Sequence, residues 1–388
     1  MEATDGRLTH ALRGRRVHFA GSAKPTIEPS RLRYAHTLLK HLAKVVLEQG
    51  GGLVVTVGND PVHTQDTNLP LIFDWTLLEA VDEFKHWQET SWPEAQGLPV
   101  VAVGLSNWRE RITNNRQPLW DRVVKAKNLE LIQMRPGLSV GGVLRERQAM
   151  YGDILVPLGG GPGVEHLAEL YTLKRRPVIP FDTPLGDKAP SAAERLSTRA
   201  MENPMQFFEY EPHAKAVVAY SALSLKDSMP NVEEFGDRFL DFVFHLPRPT
   251  AFLVRLLNTK SPDFTEVERF FRNIVDPVLA DSGYRRFEMG TDASTEPFMN
   301  VEIFQKLHYS SLVVADLTGS RVDCFTEMGY AFGQAKKVIV TAMEGTKLPF
   351  DSHSIPCHFW SVELENEKRR DSFRQFMHRN INRKPLVS

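Results

Sequence analysis

Three carboxylates stand close together in VADLTGSRVDCFTEMGYA (residues 314–331): Asp316, Asp323 and Glu327. Acids gathered at one strand end suit a reaction whose transition state carries positive charge, such as the oxocarbenium ion formed when a ribosyl C–N bond breaks. One acid can capture or stabilise that cation while another fixes ribose hydroxyls, and the step requires neither a metal nor a cofactor. SLVVAD reads as a buried strand, so Asp316 is expected to emerge at its carboxyl end, where open parallel sheets bind ligands. Asp323 is expected to cap the following helix, with Glu327 one turn further on and facing the same crevice. The residue types alone fit two structural caps and a solvated glutamate equally well.

A second cluster lies in LRERQAMYGDILVPLGGGPGVEHLAELY (144–171), which joins a basic pair, a strand, a glycine loop and a helix start. Gly159, Gly160, Gly161 and Gly163 would let backbone N–H groups turn toward a phosphate at the positive end of the helix, beside Glu165. Arg145 or Arg147 would supply a charge-assisted clamp. Gly21 and Ser22, closing the strand of VHFAGSAKP, are assigned to the same phosphate-binding site. The structural alternative is a tight strand-to-helix turn.

Positioning such residues takes strands and crossover helices. VHFA (17–20), LVVTV (53–57), VVAV (100–103) and ILVPL (154–158) alternate with helical stretches, which predicts a parallel sheet with helices on both faces. Pro29 to Gly50 reads as a crossover helix with Leu38, Leu39, Leu42, Val45 and Val46 on its apolar stripe. Alternation resumes at AFLVRLLN (251–258), with a helix over 263–281, a strand near 286–289, a helix over 297–309, strands at 311–315 and 338–342, and a helix from about 324 between them. The fold class expected is α/β, two Rossmann-like domains with parallel sheets: 1–215, a linker over 216–250, and 251–388.

The chain has 388 residues, which favours two domains over one core. Lys plus Arg (47) nearly balances Asp plus Glu (48), which disfavours nucleic acid and anionic membranes as partners and favours small ligands. Only Cys324 and Cys357 occur, no apolar run reaches the roughly 18 residues of a membrane span, and MEATDGRLTHALRGRR lacks the apolar core of a signal peptide. The cytoplasm is therefore the expected location. HSIPCH (353–358) lacks a fourth ligand at a recognisable spacing and is not assigned to a metal; Trp75, Trp87, Trp92, Trp108 and Trp120 are expected to pack core or subunit interfaces.

VVADLTGSRVDCFTEMGYAFGQAKKVIV, followed by LPFD at 348–351, resembles the TIR-like and nucleoside 2-deoxyribosyltransferase-like group. The resemblance implies that Glu327 is the catalytic glutamate, Asp316 the strand-end acid, and Asp323 a position where many relatives carry Asn. It implies substrate contacts at Leu257, Asn258, Thr259, Thr318 and, on the preceding helix, Glu302, and close approach of helix and sheet at Gly329. LLNTKSPDF departs from the Tyr-x-x-Gly-Pro loop common in deoxyribosyltransferases, which favours hydrolysis of a larger nucleotide. Residues 14–182 resemble the LOG-like, or SLOG, Rossmannoid family. That family's catalytic Glu position is held here by Leu167, so a nucleotide sensor is expected rather than a phosphoribohydrolase.

Together the two resemblances imply an antiphage effector with NAD as substrate, gated by a signalling nucleotide such as a cyclic ADP-ribose species, and working as a homo-oligomer. Two rival readings remain open: a nucleosidase or deoxyribosyltransferase acting on nucleosides or their monophosphates, and a regulator that binds nucleotides without turnover.

Overall fold

The computed structural model of the protein describes Leu12 and residues 15–58, 62–64, 68–91, 100–104, 107–125, 129–134, 141–186, 189–287, 299–348 and 355–381. The chain divides into two units, Met1–Pro247 and Arg248–Ser388.

In the first unit the strands are β1 (Arg16–Ser22), β2 (Gly52–Val57), β3 (Val100–Gly104), β4 (Leu129–Gln133) and β5 (Ile154–Gly159). They form one parallel sheet in the order β4-β3-β2-β1-β5. Near-continuous Val, Leu and Ile in β2, β3 and β5 match strands covered on both faces. The covering helices are α1 (Pro29–Glu48), α2 (Asp74–Ser91), α3 (Gln117–Lys125), α4 (Gly141–Tyr151), α5 (Pro162–Leu173), α6 (Ala192–Glu202), α7 (Pro204–Phe207), α8 (Ala216–Ser221) and α9 (Val232–Phe244). α1 starts with Pro at its first position, where a missing N–H is harmless, and buries Leu32, Leu38, Leu39, Leu42 and Val46. After β1 the chain lays β2, β3 and β4 to one side, then returns to place β5 on the other. The carboxyl ends of β1 and β5 therefore flank a topological switch point, the usual ligand crevice of such sheets.

Residues 216–250, expected as a linker with a helix possible over HAKAVVAYSALSL, carry α8 there and also α9. Asn231 caps α9 by accepting from the N–H groups of Glu233 and Glu234, and Phe235, Phe239 and Phe242 are fully enclosed in the first unit's core. Phe235 meets Phe181 edge-on at 5.2 Å, and Phe242 meets Phe208 at 5.0 Å. An i, i+4, i+7 aromatic stripe cannot be left in water, which is why this segment folds back. Trp75, Trp108 and Trp120 are also buried in this core; Trp92 and the Trp87 side chain lie outside the described residues.

The second unit has β6 (Thr250–Val254), β7 (Arg285–Phe287), β8 (Leu312–Asp316), β9 (Lys337–Met343) and β10 (Cys357–Trp360), parallel and ordered β10-β9-β8-β6-β7. A helical run follows β6: α10 (Phe264–Phe270), a π-helical turn at Phe271–Val275, and α11 (Asp276–Asp281). α12 (Met299–Tyr309), α13 (Val322–Gly333) and α14 (Asn366–Asn380) complete the unit. Here the switch point lies between β6 and β8, at the loops after Val254 and Asp316. Both units thus show the parallel α/β, Rossmann-like arrangement the sequence predicts. Among the described residues no helix is long and apolar enough to cross a membrane.

Phe239→Ala should destabilise the chain by about 3–5 kcal/mol, the range for emptying a buried Phe site. The measurement is the urea midpoint of the first unit's unfolding; a shift worth less than ~1 kcal/mol would place α9 outside the core.

Candidate functional site

β8 is central in its sheet, and all five of its residues are buried. Asp316 does not emerge from it as expected. Its exposure is 0%, because β9 extends past it and β9 and β10 supply donors around it. Oδ2 accepts from the Thr341 hydroxyl at 2.8 Å and from the Trp360 indole N–H at 2.9 Å, and Oδ1 accepts from the Thr318 N–H at 3.1 Å. Burial raises its pKa, and hydrogen bonds from Thr318, Trp360 and Thr341 oppose that rise. Thr318, assigned to substrate, is equally enclosed: its hydroxyl accepts from the Met343 N–H at 2.9 Å. Both residues fasten the end of β8 to β9 and β10.

Asp323 does not cap α13. The cap position is Arg321, and Asp323 is the second residue inside the helix, exposed and paired with Arg321 at 3.1 Å. An acid in the first turn is favourable there through the helix dipole. Cys324, Met328 and Ala331 form the buried stripe of α13, and Glu327 lies on the flank of that stripe, half-buried. Desolvation, reinforced by the negative charge of Asp323 one turn earlier, raises the Glu327 pKa to about 7. No hydrogen bond to its carboxyl is formed among the described residues. Of the three acids, Glu327 alone combines partial burial, access and a perturbed proton affinity, the combination common at reactive sites.

Leu257, Asn258 and Thr259 are exposed in the loop after β6, which borders the β6/β8 switch point. Glu302 on α12 is held in an ion pair with Lys306 at 2.6 Å. Gly329 is not needed for close approach: a Cβ there would meet nothing within 4 Å. In LPFD, residues 349–351 lie outside the described residues, as does His353 of HSIPCH. His358 packs its ring 5.2 Å from Phe376 and 5.7 Å from Phe373, and burial lowers its pKa to about 4. The sequence reading missed Asp263, Thr341 and Trp360. Asp263 could have been found as the acid that opens the predicted helix over 263–281; the other two are remote in sequence and carry no local signal.

In the first unit, β1 and β5 approach so closely that a Cβ at Gly21 would sit 1.7 Å from the Leu158 carbonyl oxygen. Gly160 follows with φ +79° and donates its N–H to the Ser22 carbonyl at 2.7 Å, which binds the strand end to the glycine loop. Gly159 shares the positive φ, and Gly161 caps α5 with no side-chain bond. Arg145 of α4 reaches this turn: its Nη1 lies 3.0 Å from where a Gly163 Cβ would be, and its Nε donates to His166 Nδ1 at 3.0 Å. Arg147 turns elsewhere, toward the Met150 sulfur at 3.8 Å. Glu165 is taken up by an ion pair with Arg195 at 2.8 Å, and Leu167 is buried core. The geometry therefore gathers Gly21, Ser22, Gly159–Gly161, Gly163 and Arg145, and leaves out Arg147 and Glu165. A guanidinium beside a helix N-terminus is an anion-binding arrangement.

A profile for the ATP nucleosidase Cap17-like N-terminal family matches residues 12–228. Two curated relatives, each the ATP nucleosidase Cap17, one from Escherichia coli strain KTE188 and one from Escherichia coli, are 29% identical over 171 residues. The aligned region is 44% of this chain and 32% of each relative, so the chain spans about a third of their length. Among solved structures, DNA processing protein A from Helicobacter pylori aligns with TM-score 0.31 and 12% identity over 61% of this chain and 84% of that one. The molybdenum cofactor binding protein from Rippkaea orientalis aligns with TM-score 0.29 and 15% identity over 50% and 88%.

Trp360→Phe removes a donor to the enclosed Asp316 carboxylate and should destabilise the second unit by about 1.5–3 kcal/mol, measured by urea unfolding at pH 7. Gly329→Ala, at an open mid-helix position, should stabilise by up to about 1 kcal/mol. A loss of stability in that variant would show that the glycine is required for packing.

Proposed function

Because this chain belongs to the ATP nucleosidase Cap17-like N-terminal family, we propose that it serves N-glycosidic cleavage of a nucleotide, with Glu327 of the second unit as the reacting carboxylate. The observation that carries this reading is the half-buried Glu327 on the helix that follows the switch-point loop after β8, its pKa raised to about 7. In the ionised form it faces the ribosyl cation as the C1′–N bond breaks and the bond's electron pair leaves with the base. Water then adds to C1′ and gives its proton to the same carboxylate. The substrates to test first are NAD, expected from the sequence, and ATP, which the relatives' name supplies. The β1/β5 crevice of the first unit, with Arg145 at the start of α5, serves in this reading as the seat of a phosphate-bearing signal such as a cyclic ADP-ribose species. We place the whole in an antiphage effector that works as a homo-oligomer.

One observation favours a second reading: the family match lies on the first unit, so cleavage would occur there. Against it, Glu165 is engaged by Arg195 and Leu167 is apolar. A regulator without turnover is the third reading, and release of no base under any activating nucleotide would support it.

Glu327→Gln should abolish release of nicotinamide from NAD, or of adenine from ATP, with and without added cyclic nucleotides; wild-type rates in that variant would move the chemistry to the first unit. The raised pKa has a sign for stability. Between the ordinary glutamate value and about 7 the folded chain holds a proton that the unfolded chain has lost, so Glu327 lowers stability as pH rises through that window. Glu327→Gln should therefore melt at or above the wild-type temperature at pH 8, which separates lost chemistry from lost fold. On NAD, whose pyridinium leaves as neutral nicotinamide, kcat/KM should rise with pH through about 7. On ATP the same ionised carboxylate is required, so kcat/KM should likewise rise with pH through about 7.

A further inference from the structure

We propose that Asp263 is the carboxylate that holds the substrate's ribose hydroxyls in the β6/β8 crevice; the proposal rests on Glu327 being the reacting group there. Asp263 immediately precedes α10, where an Asp ordinarily caps the helix by accepting from its first N–H groups. Here it makes no such bond. Its Oδ2 instead lies 3.5 Å from where a Cβ on Gly319 would be, so the carboxylate points across the switch point, from the loop after β6 onto the loop after β8. Gly319 has φ +76°, a conformation suited to glycine, and its missing side chain leaves the space beside this carboxylate open.

Ribose presents two adjacent hydroxyl donors, which a carboxylate can take together because it offers acceptors only. The other acids of the crevice are committed. Asp316 is sealed with donors on both oxygens, Asp323 is paired with Arg321, and Glu327 is reserved for the cation. Asp263 is half-buried, and its carboxylate forms no hydrogen bond or ion pair among the described residues. It is therefore the group available for the sugar, in the role that the strand-end position of Asp316 suggested.

The test is steady-state kinetics of the full chain on ATP against 2′-deoxyATP, and on NAD against its 2′-deoxyribosyl nicotinamide analogue, for the wild type and Asp263→Asn. The isosteric amide preserves shape, and a thermal melt confirms the fold. Wild type should prefer the ribose substrate. Asp263→Asn should raise KM for that substrate roughly tenfold, the size expected for losing a charged hydrogen bond, while the deoxy substrate changes little and kcat stays within a few-fold. An active wild type whose Asp263→Asn variant keeps both KM and the preference for ribose overturns the role of Asp263 alone. A wild type that releases no base from any of the four overturns the underlying reading, and this proposal with it.

Discussion

The carboxylate of Asp316 accepts from Thr341 and Trp360 on one oxygen and from the Thr318 N–H on the other, with no water contact. An isolated carboxylate in such a place would ionise at great expense, so the three donors are what make it tolerable. They come from the residue two positions on and from two strands far away in sequence, so the bond set joins β8, β9 and β10 at their carboxyl ends. Trp360 is held in turn by Phe270, stacked on it at 4.4 Å and 6°, and by Arg369 of α14, 5.6 Å above its ring. The start of the loop at 317–321, and so the start of α13, depends on this anchor. The position of Glu327 depends on α13. Removing one donor to Asp316 acts on Glu327 only through this chain of supports.

The two crevices share a topology but differ in the side chains that border them. In the first unit, backbone crowding between β1 and β5 leaves room for glycine alone, and Arg145 with the N-terminus of α5 makes the opening positive. In the second, the loops after β6 and β8 carry the acid Asp263 together with Arg255, Lys260 and Arg321, and lead to the helix that bears Glu327. Under the proposed function the first would take a phosphate and the second a ribosyl cation.

Much of this was legible in the primary structure because parallel strands buried on both faces leave apolar runs that composition cannot hide. β1, β2, β3, β5, β8 and β9 all fall where such runs do. β4, LELIQ, escaped notice because an edge strand alternates polar and apolar residues over only five positions. The linker reading of 216–250 failed because HLPRP and the turn-rich stretches on either side masked the aromatic stripe of α9, whose partner Phe181 lies far upstream. At the site, the types Asp316 and Glu327 were readable, but their burial was not. Whether a strand-end acid points to solvent depends on how far its neighbouring strands extend, and that is decided by Thr341 and Trp360, 25 and 44 residues away. Arg145 and Arg147 were likewise indistinguishable until the rotation of α4 brought one to Gly163 and turned the other to Met150.

The difference between the crevices also bears on where a nucleosidase activity would reside. Breaking an N-glycosidic bond builds positive charge on the sugar, and a crevice that offers a guanidinium and the positive end of a helix raises the energy of that transition state. For the first unit to host the reaction, Glu165 would have to leave its pairing with Arg195 and come to lie against the ribose, which spends an ion pair to gain a single acid. The second unit needs no such rearrangement. Glu327 already stands desolvated beside Asp323, held in a state that opposes stability at neutral pH, and local destabilisation of that kind is what a folded chain tolerates where an acid must react.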